Sequence, residues 1–410
     1  MVRALLVLVL SFAFLSSDAA LLLGLETARM ALFAGAMLAL TAATLAATSG
    51  LDGRRKTVPV LLTLLLAAIA LADLGHGLDL VDYKILLLVL ALLLAPNLAS
   101  ALAGADLARL VWRLLALYVA ATGAAALVGL PLLVQRGHDV FARVDFAGSL
   151  VSHAGLCTVF VLASGARLAA ARSPWSGALG LGLVLAALLM TFLTATRSVL
   201  VTIALFAALS VLTAQSPLRQ LGRLVPASGA AGLAFTLCTW LVSDAFLQRL
   251  IGPRIADYSS GRASSQAWWL ARAAEHPLGL GLGAVRQHLA NGRPALDGTR
   301  LLEWPHNEPV RFFIEAGPLG LAFVLLLTGW LVRWTARAAR ADRDAPRRAL
   351  ALAILADLLT QTLFQNYLNM VYYAVPLVLV LTVLLVQAED AASTNEPEPS
   401  PAAGANEVRG

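Results

Sequence analysis

The chain has 410 residues, of which 59% are hydrophobic and only 13% charged, with a formal net charge of +6. Soluble domains run near ~45–50% apolar and ~25% charged, so this balance excludes a water-soluble globule, a secreted disulfide scaffold and a disordered chain. With a mean hydropathy of +0.80, the surplus is enough for about ten to twelve crossings at ~20 apolar residues each. The reading is an all-α, polytopic integral membrane protein.

In chain order, apolar runs predict twelve spans, near 4–23, 27–48, 58–74, 84–101, 114–134, 149–170, 177–195, 198–214, 225–246, 310–332, 349–366 and 370–387. The first carries Arg3, an apolar run and small residues through Ala20, like a signal peptide. A second apolar helix follows almost at once, however, which is the pattern of an uncleaved first span. Cys157 and Cys238 lie in separate apolar stretches and offer neither a disulfide framework nor a thiolate metal site. Basic clusters at 54–56, 109–113, 167–172, 219–223 and 333–348 fall on one side of a twelve-span bundle, together with both termini. The positive-inside bias makes that side cytoplasmic. The organisation is therefore helices one to nine in 1–246, a large periplasmic loop in 247–309, helices ten to twelve in 310–387, and a polar tail in 388–410. The tail is rich in Pro, Ala, Asn and Glu and reads as disordered.

The loop is too long for a mere connector. Seven arginines (249, 254, 262, 272, 286, 293 and 300) lie in it, against the positive-inside bias, and an anionic ligand on that face would account for them. Only Lys56 and Lys84 are lysines. Coding composition alone produces such a bias, and so does a need for planar guanidinium groups at phosphate. Within the loop, 262–275 reads as a short helix with Trp268, Trp269 and Leu270 as its apolar body, stopped by Pro277. The Gly-Leu alternation of 278–283 reads as a tight, flexible turn. It lacks the Gly-x-x-x-x-Gly-Lys-Ser/Thr pattern of a phosphate loop. No internal repeat is found.

Three residues stand out. Arg197 interrupts a 38-residue apolar stretch, 177–214, where two spans must meet at the non-cytoplasmic membrane edge. A charge at mid-bilayer costs ~2.5–3.5 kcal/mol, so Arg197 either snorkels to headgroups or waits for a lipid phosphate. Arg262 follows Ser259, Ser260 and Gly261 at a helix start, where hydroxyls and backbone N–H groups favour an anion. His306 lies in Trp304-Pro305-His306-Asn307-Glu308-Pro309, ahead of the tenth span, and with an ordinary pKa of ~6.5 it is suited to accept a proton from a hydroxyl. Arg311 and Glu315 form an i,i+4 pair on that span, which reads first as structural. Gly317 and Gly320 leave room either for another helix or for a lipid chain. The six histidines have no paired spacing, and no acidic cluster suits a divalent cation.

His306-Asn307, nine residues, then Gly317-Pro318-Leu319-Gly320 resembles the His-Asn-x₉-Gly-x-x-Gly signature of O-antigen ligases. These are related to O-antigen polymerases and bacterial O-linked oligosaccharyltransferases. The Ser-Gly-Arg before a Trp-containing helix, the 275–281 segment and the membrane-edge Arg197 look like that superfamily. The resemblance is specific over about 190–322 and architectural elsewhere. It implies an inverting glycosyltransferase that moves O-antigen polysaccharide from undecaprenyl pyrophosphate to a sugar hydroxyl of lipid A–core. The setting is the periplasmic face of the bacterial inner membrane, among membrane lipids, with no nucleic acid, cofactor or metal. Under it Arg197 and Arg262 clamp the pyrophosphate and His306 is the general base, positioned by Asn307 or Glu308. Asn307, Glu308, Arg311, Gly317 and Gly320 then line the substrate. A polymerase or an oligosaccharyltransferase would use the same residues with a different acceptor. A transporter is the more distant alternative, disfavoured because mid-span charges are few, Asp357 being the clearest.

Overall fold

The computed structural model describes residues 1–15, 26–48, 57–73, 83–135, 150–169, 174–193, 196, 198–218, 220, 262–292, 294, 301–365 and 370–393. Among them there are thirteen helices and no strands. The first eight are α1 (Val2–Leu15), α2 (Glu26–Ala47), α3 (Thr57–Asp73), α4 (Tyr83–Ala101), α5 (Leu107–Gln135), α6 (Leu150–Ala169), α7 (Pro174–Leu193) and α8 (Ser198–Leu212). After them come α9 (Arg262–Ala274), α10 (Ala284–Ala290), α11 (Glu308–Ala341), α12 (Ala345–Phe364) and α13 (Val371–Ser393).

Each predicted span that falls wholly or partly on described residues overlaps one of these helices. The predicted span 225–246 lies outside the described residues, as do Arg197 and Ser259 to Gly261. Windows within α5, α11 and α13 are long and apolar enough to cross a membrane, and several of the other helices are shorter apolar ones. The protein thus has membrane-spanning character. α13 extends beyond its predicted end to Ser393, and there Trp334 Nε1 donates to Glu389 Oε1 at 2.7 Å. Residues 388–393, expected as the start of the tail, are therefore helical, and Glu389 has a buried indole to accept from.

Two cores hold the fold. The larger runs through the apolar bundle, with α13 packed against α4 and α12 against α6, α8 and α11. α13 is apolar on all sides, as a helix surrounded by others must be. The smaller core gathers Trp269 and Ala273 of α9, Val285 and Leu289 of α10, Leu302, and Ile314 of α11. The described part of the predicted loop thus folds onto the first turns of α11.

The join between the cores is a kink in α11. Pro318 has no N–H to give Ile314, and Ala316 and Gly317 leave helical geometry, Gly317 at φ 58°. The carbonyls so exposed are taken up from outside: Leu280 N–H donates to Ile314 O and Gly281 N–H to Glu315 O, both at 2.9 Å. A Cβ on Gly317 would stand 2.7 Å from Pro277 O, and one on Gly279 would collide with Glu315 O. The Gly-Leu alternation is therefore a strap on the kink, where a free turn was expected.

Candidate active site

The site forms where the start of α9, the segment before α11 and the end of α12 meet. Three side chains of α9 fasten that segment. Glu303 N–H donates to Ser265 Oγ at 3.2 Å, Trp269 Nε1 to Glu303 O at 2.9 Å and Gln266 Nε2 to Pro305 O at 2.7 Å. Trp269 is 0% exposed, so the fastening is anchored in the smaller core.

Held at both ends, the chain turns at His306 with φ 50°. No other non-glycine residue among the described ones has a positive φ. Such backbone strain persists only where surrounding contacts over-determine it, and it gathers at functional sites. Asn307 then caps α11: its Oδ1 accepts from Val310 N–H and its Nδ2 donates to Leu363 O, each at 3.0 Å. Pro309 follows in the first turn, where its missing N–H costs nothing.

The last turn of α12 supplies the third wall. A helix end leaves carbonyls without intrahelical partners. Leu363 O is used by Asn307, and Phe364 O accepts from Arg262 Nη1 at 2.9 Å. Arg262, the first residue of α9, is thereby fixed beside His306.

His306 is 24% exposed, enough for a substrate to reach it, and its Nε2 lies 3.9 Å from Glu303 Oε2. Its Nδ1 is buried with no hydrogen-bond partner. Burial first, and the nearby Arg262 charge second, push the imidazole pKa down to about 4. Against both, the Gln365 side chain favours the protonated ring. The imidazole is therefore neutral at physiological pH and has the form a base requires.

The other expected contacts have structural partners. Glu308 and Arg311 are buried and bonded at 2.8 Å, and Arg311 lies 3.9 Å from Glu315 and 4.7 Å over the Phe312 ring. At 3% exposure the Arg311 guanidinium braces α11 and is not presented at the surface. Asn307 bonds to the Val310 N–H and the Leu363 carbonyl, Glu308 pairs with Arg311, and Glu303 stands beside the His306 ring. Gly317 receives the 277–279 backbone, and Gly320 packs against Phe312 O across the kink. Close packing, the first of the two roles read for these glycines, is what the geometry provides.

Compared with known proteins, the chain matches no family model and no curated sequence. The site must be read from its chemistry. It joins a guanidinium, a neutral imidazole and a carboxylate at the mouth of an apolar bundle. Among the described residues, no three His, Cys, Asp or Glu side chains cluster as metal ligands.

Ser265, Gln266, Gln365 and the α12 carbonyls were not anticipated from sequence. Only Gln365 left a trace there. It closes a polar series at four-residue spacing, Asp357, Gln361 and Gln365, in the mostly apolar second half of that helix.

Proposed function

We propose that the protein is a membrane glycosyltransferase of the O-antigen ligase type, transferring O-antigen polysaccharide from undecaprenyl pyrophosphate to a sugar hydroxyl of lipid A–core. The observation that carries the reading is the meeting of Arg262 and His306, 44 residues apart in sequence, at one edge of an apolar bundle. That pairing suits an anionic leaving group beside an acceptor hydroxyl. The twelve-span topology, the periplasmic position of the site and the bacterial inner-membrane location belong to the same proposal.

In the reaction, the acceptor oxygen bonds to the anomeric carbon while the bond from that carbon to the pyrophosphate oxygen breaks. Undecaprenyl pyrophosphate leaves with the electron pair, His306 takes the acceptor proton, and attack from the opposite face inverts the anomeric centre. Arg262 stabilises charge on the leaving pyrophosphate; a pre-oriented guanidinium does this without reorganising during the reaction. Arg197 is proposed as its partner. Pyrophosphate bound beside Arg262 would offset the positive charge that depresses His306 and so make the base stronger once donor is in place.

The test is a reconstituted assay with undecaprenyl-pyrophosphate-linked O-antigen and lipid A–core, run with EDTA. Glycan joined to lipid A–core supports the ligase. Extension of lipid-linked glycan alone would make it a polymerase, glycan on a protein acceptor an oligosaccharyltransferase, and no transfer with any acceptor would sink the reading.

A further inference from the structure

We propose that the end of α11 far from His306 is a binding site for an anionic phospholipid. Its phosphate sits between Arg333, Arg337 and Arg340, and an acyl chain lies along the apolar face that leads to them. The site is independent of the reaction proposed above.

Arg333, Arg337 and Arg340 follow one another at four- and three-residue spacing in the last turns of α11, and all three are exposed. Residues so spaced share a helix face, and like charges placed there destabilise the helix until something neutralises them. Among the described residues no carboxylate pairs with any of the three. The acids of the α11–α12 turn have other partners. Asp342 holds the Arg347 guanidinium through both carboxylate oxygens, at 2.7 and 2.6 Å, and Asp344 accepts from the Arg347 N–H at 3.2 Å. Glu389 of α13 is taken by Trp334 Nε1. Arg340 Nη2 reaches the Leu212 carbonyl at the end of α8, at 3.4 Å, which orients the guanidinium without cancelling its charge. The counter-charge has to come from outside the chain.

The same face of α11 continues toward mid-helix as apolar surface. Leu325 and Leu326 are more than half exposed, and a Cβ on Gly329 would meet nothing within 4 Å. Trp330 marks the level where leucine gives way to arginine. Its ring stacks on Trp334 with centroids 4.9 Å apart, and Trp334 is itself buried and hydrogen-bonded, so the Trp330 indole is held in place. Indole rings are enriched at this level of a bilayer, between acyl chains and headgroups. Arginine lays its methylene stem over apolar surface with the charged head outward, and the guanidinium fork matches phosphate oxygens in pairs. A soluble anion would use the arginines alone. Exposed leucines and a fixed indole in line with them suit an amphiphile charged at one end. Basic residues also bias membrane orientation, but that bias counts charges and is indifferent to the helix face that carries them.

The test is native mass spectrometry of the full-length protein in detergent, titrated with phosphatidylglycerol or with phosphatidylcholine of the same chains. Phosphatidylglycerol should bind at least about 10-fold more tightly, and Arg333→Gln with Arg337→Gln should weaken it roughly 25-fold, about fivefold per arginine. Circular dichroism should show the helix content of the wild type. A control pair, Arg113→Gln with Arg343→Gln, removes as much charge from exposed positions off the stripe and should stay within about threefold of wild type. Equal weakening in the two pairs would reduce the effect to overall charge and overturn the site. Phosphatidylcholine binding as tightly as phosphatidylglycerol would overturn it as well. So would displacement of the lipid by an equal concentration of glycerol phosphate, since the site would then take a soluble anion.

Discussion

The large core of the bundle and the small core beside it are built on different terms. The bundle buries one apolar helix against another, so many residues share the work and few of them are individually decisive. The small core has six buried residues and is completed by hydrogen bonds from named side chains to named carbonyls: Trp269 to Glu303, Gln266 to Pro305, Asn307 to Leu363 and Arg262 to Phe364. A bundle of the first kind tolerates change because its packing is distributed. A site of the second kind gains positional accuracy and becomes sensitive to single substitutions.

Perturbations that separate the two regions follow from this contrast. The largest effect belongs to His306→Ala, which should lower glycan transfer by ~10²–10⁴-fold. Donor binding and helix content should stay as in the wild type; a loss of donor affinity instead would remove the base assignment. Trp269→Ala comes next, since emptying a fully buried indole site costs about 3–5 kcal/mol. Limited proteolysis should then cut within 262–305 while the bundle keeps its circular dichroism. Equal loss of both would mean that the two cores unfold as one.

Arg262→Gln should weaken donor binding by about 1.5–3 kcal/mol, the worth of hydrogen bonds to a charged group. It also has a pH signature. His306 must be neutral to act, so activity falls as pH drops through its pKa, which in the wild type lies near 4. Removing the Arg262 charge raises that pKa, and the acid limb of kcat/KM should move to higher pH. An unmoved limb would separate the two residues electrostatically. Gly317→Ala should cost about 1–3 kcal/mol, because alanine at φ 58° is strained and its Cβ meets Pro277 O. The readout is loss of transfer with the bundle intact. The smallest effect is Leu181→Ala on α7, an exposed position, expected within about 0.5 kcal/mol in thermal denaturation.

Much of the bundle was legible because burial in a membrane-type helix needs little beyond apolar length. The 262–275 helix was legible for a similar reason, since Pro277 and the Trp pair mark its end and body. His306 and Arg262 were picked out by being polar where the context was unusual. Their surroundings were not readable. The expected supporters of His306 were its sequence neighbours Asn307 and Glu308, yet Asn307 caps a helix and Glu308 pairs with Arg311. Arg311, whose pairing with Glu315 read first as structural, is buried between Glu308 and Glu315. The 278–283 glycines looked flexible and instead complete the α11 kink.

By itself, then, the amino-acid order determined where apolar helices run, where Pro and Gly interrupt them, and which polar residues are out of place among apolar ones. Those are local properties, set by side-chain chemistry and spacing along one stretch of chain. Only the tertiary structure decided that the end of α12 forms a wall of the site, that Arg262 is held there by the Phe364 carbonyl, and that the carbonyls freed at the α11 kink are satisfied by Leu280 and Gly281. The physical reason is that these contacts pair a side chain with backbone groups or amides brought close by packing. A carbonyl looks the same at every position in a sequence, so which of them a side chain finds is settled only when the helices have met.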